Sequence, residues 1–147
     1  ALVFTGMGGE LIARLLQDGA RIAAAAERIV MQPMGGTREL RSYLLQNGYA
    51  ILDERFVLDA GRFYQVILVK PQFGQSAELP CDALLEFGPI AFAQRDPLLL
   101  EALKRCRDGR LRRMRKAESH GRSPKQLVHE LSGVQELIDI LEQEKNK

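Results

Sequence analysis

The sequence has few of the residues that build disulfide frameworks, metal centres or membrane spans. Its 147 residues include two cysteines, Cys81 and Cys106, which are far apart and form no CxxC pair. The two histidines, His120 and His129, complete no metal-ligand spacing with them. No apolar run approaches the roughly 20 residues of a membrane-spanning helix, and no secretory leader opens the chain. We therefore expect a globular, cytoplasmic protein with no metal and no membrane partner.

Acidic residues are scarce in one segment, and this makes the distribution of charge very uneven. The whole chain has a net charge of +2, but residues 104–125 contain ten Lys or Arg against two acidic residues. That segment has a net charge of +8, which leaves −6 for the other residues. Such separation creates a local positive field of the kind that attracts nucleic acid. The alternative is a solvated helix face without a ligand.

Three glycines occur within four positions, Gly6-Met7-Gly8-Gly9, between an apolar run at 2–5 and a helical pattern from Glu10. Glycine allows positive φ and lets a ligand approach the bare main chain, and ligands of open α/β sheets bind beyond the carboxyl ends of the strands. The glycines are therefore candidates for a binding loop, with a tight structural turn as the alternative. The spacing matches neither GxGxxG nor GxxxxGK[ST], which disfavours a nucleoside-triphosphate site.

Strand and helix patterns alternate in the first half of the chain. A second apolar run at 28–33 is followed by a helix that begins at Thr37, the expected N-cap, and ends before Gly48. This order predicts a parallel sheet with crossover helices. The next strands, 49–58 and 62–70, are separated by three residues, which predicts an antiparallel hairpin. The sheet should therefore be mixed.

The last part of the chain is helical in pattern. A linker precedes it, marked by Pro71, Gly74, Ser76 and Pro80. One helix should begin at Pro97 and end near His120. Ser123 as N-cap and Pro124 as the first helical residue should begin a second helix, whose apolar residues form a coiled-coil seam. We predict two antiparallel helices and two domains, residues 1–72 and 73–147.

Several short motifs stand at the predicted strand ends and helices. They are FTGMGGELI (4–12), RIVMQPM (28–34), LRSYL (40–44), NGY (47–49), FYQVI (63–67) and EFGP (86–89). Through these motifs, and above all through GMGG followed by QP, the chain resembles the bacterial family of tRNA adenine-N1 methyltransferases that modify position 22 of tRNA.

The resemblance implies an α/β fold: the carboxyl-terminal half of a Rossmann-like class I methyltransferase sheet, followed by an α-helical, coiled-coil-like hairpin that helps to hold tRNA. It also implies S-adenosyl-L-methionine as the methyl donor. In that family GMGG lies where the target base meets the donor, so Gly6 and Met7 are expected at the catalytic position. The expected cofactor contacts are Gly8, Gly9, Gln32 and Pro33. For the last two, a strand terminator without a ligand role is the alternative.

The chain also departs from the family pattern. Nothing in it corresponds to the family's first strands, which bear the main methionine-binding loop and the acidic residue that holds the ribose. The aspartate usually found shortly before GMGG is absent, and Gln65 stands where an acidic residue is common. We therefore interpret the chain as a carboxyl-terminal portion with an incomplete cofactor site, inactive by itself.

Methylation of adenine N1 needs positioning more than proton transfer, because no side chain here is an obvious general base. Main-chain carbonyls from Thr5 to Gly8 are candidate acceptors for the exocyclic amine. The residues expected to bind the tRNA backbone are Lys104, Arg105, Arg107, Arg110, Arg112, Arg113, Arg115 and Lys116. Two other functions stay open: a non-catalytic RNA-binding or interaction module, and a methyltransferase of a small molecule, against which the basic hairpin argues.

Overall fold

Backbone contacts divide the chain into two units, Ala1–Asp96 and Pro97–Lys147. The computed structural model describes residues 1–74 and 77–147. The strands of the first unit are β1 (Leu2–Met7), β2 (Ile29–Pro33), β3 (Tyr49–Asp59) and β4 (Arg62–Pro71). Its helices are α1 (Gly9–Asp18), α2 (Ala20–Ala25), α3 (Thr37–Gln46), α4 (Asp82–Phe87) and α5 (Pro89–Ala93). The second unit contains α6 (Leu99–Ser119) and α7 (Lys125–Lys145).

The strands of the first unit form one mixed sheet in the order β1-β2-β4-β3. β1 and β2 are parallel, in a register that runs from Leu2 opposite Ile29 to Met7 opposite Pro33. β4 is antiparallel to both of its neighbours, β2 and β3. The predicted parallel pair with an antiparallel hairpin is thus confirmed. Because β1 and β2 run in the same direction, their carboxyl ends meet at one edge of the sheet, and the loops that follow them lie side by side.

Helices α1 and α3 bury their apolar residues in the core of the first unit. Ile12 and Leu16 of α1 join Leu40 and Leu44 of α3 and Met31 of β2 in one cluster. Each of the five is at most 1% exposed, and burying one such side chain stabilises the fold by about 1.5–3 kcal/mol. This core fixes the starts of both helices relative to the sheet edge.

A buried ion pair attaches the segment that contains α4 and α5 to the sheet. Arg41 of α3 donates from Nε to Glu54 Oε1 of β3 at 2.6 Å, and both side chains are almost fully buried. Arg41 also donates to the main-chain carbonyl of Glu86 at 2.9 Å, and Glu54 Oε2 accepts the N–H of Ile90 at 2.7 Å. Burial lowers the pKa of the Arg41 guanidinium, and the nearby carboxylate of Glu54 opposes that shift.

These contacts change the division of the chain. α4 and α5 belong to the first unit, which ends at Asp96, whereas the sequence placed a domain boundary between residues 72 and 73. Asp96 itself is fixed to the sheet, because its Oδ2 accepts the main-chain N–H of Phe56 at 3.0 Å. The predicted boundary followed the proline and glycine content of the loop after β4. The main-chain partners of the buried ion pair lie beyond that loop and join α4 and α5 to the first unit.

Gly88, between α4 and α5, has no room for a side chain. Its φ is +102°, and a Cβ there would lie 2.7 Å from Glu54 Oε2 and 3.0 Å from Arg41 Nη2. The glycine of the EFGP motif is therefore required by close packing on the buried ion pair.

Helices α6 and α7 form the antiparallel hairpin that the sequence predicted. The interhelical side-chain pairs are Lys104 with Glu142 at 2.5 Å, Arg107 with Gln135 at 3.4 Å, and Arg110 with Glu130 at 3.4 Å. As the α6 number rises the α7 number falls, which defines the antiparallel direction. Val134, Ile138 and Leu141 of the predicted seam are buried.

The helix starts differ from the sequence expectations. Thr37 is the first residue of α3, and its N-cap is Gly36 at φ 63°. The Thr37 hydroxyl donates to the carbonyl of Glu86 at 2.8 Å instead of capping the helix. α6 begins at Leu99, two residues after Pro97. A tertiary partner thus takes the hydroxyl that would otherwise satisfy the helix end.

The capping box expected at the start of α7 does not form. Pro124 is the N-cap, not the first helical residue, and no side-chain cap hydrogen bond is made there, so Ser123 does not have the expected role. The short helices α2, α4 and α5 were not predicted, because five or six residues do not reveal a 3.6-residue period. Of the predicted linker, Ser76 lies outside the described residues.

Candidate active site and nucleic-acid interface

The two loops at the carboxyl ends of β1 and β2 meet at the edge of the sheet. Met7 lies opposite Pro33 in the parallel register, and the N–H of Met34 donates to the carbonyl of Met7 at 2.7 Å. The structure therefore brings the GMGG motif and Gln32-Pro33 together, although 22 residues separate them in sequence.

Gly6 lies in a bulge of β1 and has open space around it. Its φ is +69°, the register shifts between Thr5 and Met7, and no atom lies within 4 Å of the position of a Cβ. The N–H of Gly6 donates to Gln32 Oε1 at 3.2 Å. The carbonyls of Met7 and Gly8 in the same bend accept the N–H groups of Met34 at 2.7 Å and of Ile12 at 3.1 Å.

Gly8 is also open, but for a different reason. As N-cap of α1 it has φ −66° and ψ 148°, which any residue can adopt, and nothing lies within 4 Å of a Cβ position. Neither conformation nor packing therefore requires glycine at this position. A ligand that approaches the main chain would require it.

Gly9 is buried under the neighbouring loop. A Cβ there would lie 2.2 Å from the carbonyl oxygen of Gly36, and the N–H of Gly9 donates to the carbonyl of Gly35 at 2.8 Å. Close packing of two main chains explains this glycine, so the structure removes Gly9 from the surface that a cofactor could contact. The two readings of GMGG thus apply to different residues: Gly9 is a structural turn, and Gly6 and Gly8 are exposed.

Gln32 connects the two loops through its side-chain amide. Its Oε1 accepts from Gly6, while Nε2 lies 3.2 Å from the sulfur of Met34 and 3.5 Å from the carbonyl of Pro33. Pro33 is buried at the end of β2. Within this chain, Gln32 holds the Gly6 bend in place.

Sequence reasoning missed a second glycine loop, Met34-Gly35-Gly36. All three residues are exposed, and nothing lies within 4 Å of a Cβ at Gly35. The signal was present, because a Gly-Gly pair follows Pro33 as the GMGG motif follows the apolar part of β1. The family resemblance gives Gly35-Gly36 no role, and the sequence alone therefore does not identify this loop as part of the site.

The eight basic residues predicted to bind RNA divide into two groups. Lys104, Arg107 and Arg110 contact α7, and Arg110 is 7% exposed, which removes it from the predicted RNA contacts. Arg105 pairs with Glu101 on its own helix at 3.3 Å. Four others are exposed and form no ion pair within the described part of the chain: Arg112, Arg113, Arg115 and Lys116.

Basic side chains converge near the end of α6. Arg113 and Lys116 line an open cavity of about 270 Å³ together with His120 and Arg122. His120 Nδ1 lies 2.7 Å from the carbonyl of Lys116, which fixes the ring beside the cations. Within residues 104–125, the exposed basic side chains are thus concentrated from Arg112 onward.

Among residues 1–74 and 77–147, no group of three or more His, Cys, Asp or Glu side chains is arranged to hold a metal ion. Within the same residues, no helix has the length and hydropathy needed to cross a membrane.

Comparison with known proteins settles the family. The model of the tRNA (adenine(22)-N(1))-methyltransferase family, TrmK, matches residues 1–139. The chain belongs to this family. A tRNA (adenine(22)-N(1))-methyltransferase of Bacillus subtilis strain 168 is 33% identical over 70 residues, which are 48% of this chain and 29% of the relative.

Solved structures of this family show the same fold. Sp1610 of Streptococcus pneumoniae in complex with S-adenosyl-L-methionine matches with a TM-score of 0.76 and 26% identity, over 92% of this chain and 59% of that protein. The m1A22 tRNA methyltransferase TrmK of B. subtilis matches with a TM-score of 0.69 and 21% identity, over 96% of this chain and 61% of the enzyme. The chain thus spans less than two thirds of the length of these proteins.

Proposed function

We propose that this chain is the carboxyl-terminal part of an S-adenosyl-L-methionine-dependent enzyme that methylates adenine N1 in tRNA, at position 22. The observation that carries the proposal is the open main chain at Gly6 and Gly8, at the sheet edge of a member of this family. The similarity to Sp1610, which was solved with S-adenosyl-L-methionine, supports the cofactor. With tRNA as its substrate, the enzyme would act in the cytoplasm.

The residues present fit the methyl-donor end of the cofactor. Gly6 and Gly8 leave a side-chain-free surface at the carboxyl ends of two parallel strands, where ligands of open α/β sheets bind. Met7 and Gln32 flank that surface. The acidic residue that holds the ribose in this family has no counterpart in the chain. The surface at Gly6 and Gly8 therefore forms only part of a cofactor site, which other residues of the whole protein complete. Bound S-adenosyl-L-methionine supplies an electrophilic methyl group.

The residues of this chain position the target adenine and stabilise the positive charge that methylation creates on it. Adenine N1 is a weak nucleophile, and its methylation leaves a cation, so catalysis depends on alignment, exclusion of water and nearby acceptors. The carbonyl oxygens from Thr5 to Gly8 receive the exocyclic amine in this proposal; those of Met7 and Gly8, which already accept one N–H each, would do so through their second lone pair. Those carbonyl dipoles also favour the positive charge that develops on the ring.

The basic surface at the end of α6 binds the phosphates of tRNA in this proposal. Arg112, Arg113, Arg115 and Lys116 are exposed, and the segment 99–119 has no aromatic side chain to stack on bases. If these four cations each neutralise one phosphate, the slope of log K against log salt concentration should be about −3 to −4.

The test of the active site uses the whole protein that contains this chain and a tRNA transcript with adenine at position 22. We expect N1-methyladenosine at that position, detected by mass spectrometry of nuclease digests, and none when the position is guanine. Gly8→Val should abolish methylation and leave tRNA affinity within about twofold, because the added side chain enters the ligand space from a Cβ position that has no protein atom within 4 Å. Undiminished turnover would remove Gly8 from the site.

The test of the RNA surface is a pair of charge reversals. Arg112→Glu with Arg113→Glu should weaken tRNA binding in a filter assay and lower the salt slope by about two. Lys145→Glu with Lys147→Glu makes the same change in net charge at the end of α7 and should leave the slope unchanged. Equal effects of both pairs would show that net charge, and not this surface, governs binding. Binding without methylation by the wild type would favour the non-catalytic RNA-binding module.

A further inference from the structure

Met34 is an exposed apolar residue held in a defined place at the candidate site. Its side chain is 52% exposed, although its main-chain N–H is fixed to the carbonyl of Met7 at 2.7 Å. Its sulfur lies 3.2 Å from Gln32 Nε2, and the same amide group accepts from Gly6 on its other side. One amide thus joins the Met34 thioether to the open bend of the GMGG loop.

The local structure offers no packing reason for a methionine at this position. The buried core of the first unit does not include Met34, whereas Met31, three residues earlier, is fully buried. Gly35, the next residue, leaves open space beside it. The exposed thioether therefore stands at the margin of a surface that has no side chains of its own.

The chemistry of a thioether suits the face of a purine. Methionine sulfur is polarisable and makes favourable contacts with aromatic rings. It has no charge, and it therefore does not repel the adenine ring when methylation at N1 makes that ring cationic. A lysine or arginine at the same place would oppose the reaction by repulsion.

We propose that Met34 is a substrate-contacting residue, whose thioether packs against the face of the target adenine while Gln32 holds the sulfur beside the Gly6 bend. This inference rests on the proposed function, and it assigns the second glycine loop to the same site. In this arrangement Met34 and the main chain of Gly6 and Gly8 form two sides of the place that the base occupies.

The experiment measures single-turnover methylation of tRNA by the whole protein carrying Met34→Ala, Met34→Leu or Met34→Lys. Met34→Ala should lower the rate by a factor of about 2 to 13, which corresponds to the strength of a sulfur–aromatic contact. Met34→Leu should recover most of that loss, and Met34→Lys should be slower than Met34→Ala. Val128→Ala, at a residue with the same 52% exposure on α7, is the control for removal of an exposed apolar side chain.

Two further measurements separate contact with the base from a structural effect. The affinities for tRNA and S-adenosyl-L-methionine and the thermal midpoint should stay at wild-type values in Met34→Ala, because the residue is exposed. Wild-type rates in both Met34→Ala and Met34→Lys would overturn the proposal and leave the proposed function intact. A rate loss matched by lower cofactor affinity or a lower midpoint would also overturn it. No methylation by the wild type would remove the proposed function and this inference together.

Discussion

The stability of the protein should respond very differently to the addition of one methyl group at the adjacent glycines Gly8 and Gly9. In Gly9→Ala the new Cβ would lie 2.2 Å from the carbonyl oxygen of Gly36, so the two loops must separate by about 1 Å to reach ordinary contact. Overpacking of this kind costs about 1–3 kcal/mol, and weakening of the 2.8 Å bond from Gly9 to Gly35 adds about 0.5–1.5 kcal/mol. Helix propensity returns about 1 kcal/mol, because alanine is favoured over glycine in α1. The free energy of unfolding should fall by about 2 kcal/mol.

Gly8→Ala supplies the matched control. Its φ of −66° and ψ of 148° suit alanine, and its Cβ meets nothing within 4 Å. The smaller entropy of the unfolded chain and the poorer N-cap nearly cancel, and the change in unfolding free energy should stay within about 0.5 kcal/mol. Urea unfolding followed by circular dichroism measures both variants. In the methylation assay, Gly8→Ala should lower the rate although it leaves the free energy of unfolding almost unchanged. Equal stability of the two variants would refute the assignment of Gly9 to packing.

Three other substitutions test the packing around the buried ion pair and in α6. Glu54→Gln removes the charge that pairs with buried Arg41 and should lower the free energy of unfolding in urea by about 3–5 kcal/mol. Glu39→Gln, in an exposed pair, should lower it by less than about 1 kcal/mol. Similar losses in both variants would show that burial adds nothing to the effect of the Arg41–Glu54 pair. Gly88→Ala should destabilise by more than about 1 kcal/mol, because its φ is +102° and its Cβ meets Glu54 Oε2 at 2.7 Å, and a neutral result in thermal melting contradicts the packing described. Gly109→Ala should stabilise the protein by about 1 kcal/mol, because alanine is favoured over glycine inside a helix and the nearest atom to its Cβ, Arg112 Nη2, is 3.7 Å away. A lowered melting midpoint would count against an undistorted helix at that position.

The sequence predicted those parts of the fold that depend on periodicity. Apolar runs at strands and the four- and three-residue steps of α7 report burial directly, and the mixed sheet and the antiparallel hairpin follow from them. The link between α4–α5 and the sheet could not be predicted in this way. It depends on Arg41 and Glu54, two charged residues that a sequence pattern predicts to be exposed. Only the fold brings them opposite each other and surrounds them with main-chain hydrogen-bond partners.

The candidate site was predictable in its location and not in its detail. The strand that ends at GMGG and the strand that ends at Gln32-Pro33 indicate the same sheet edge once they are parallel. Whether a glycine is needed for a ligand or for packing depends on which main chain lies 2–3 Å away, and no spacing reports that for Gly9. The basic residues of α6 likewise look equivalent in sequence, but the helix turns Arg110 toward α7 and Arg112 toward solvent.

The ion pair between Arg41 and Glu54 also determines where the first unit can be cut. A fragment that stops in the polar loop after β4 would retain both charges and lose the carbonyl of Glu86 and the N–H of Ile90 that satisfy them. Protease-resistant pieces of this unit should therefore extend to Asp96, and a cut at the exposed Gly74 should leave both halves associated. A split form of the protein, expressed as two polypeptides divided at that loop, would be held together by hydrogen bonds between the charge pair on the first polypeptide and the carbonyl of Glu86 and the N–H of Ile90 on the second.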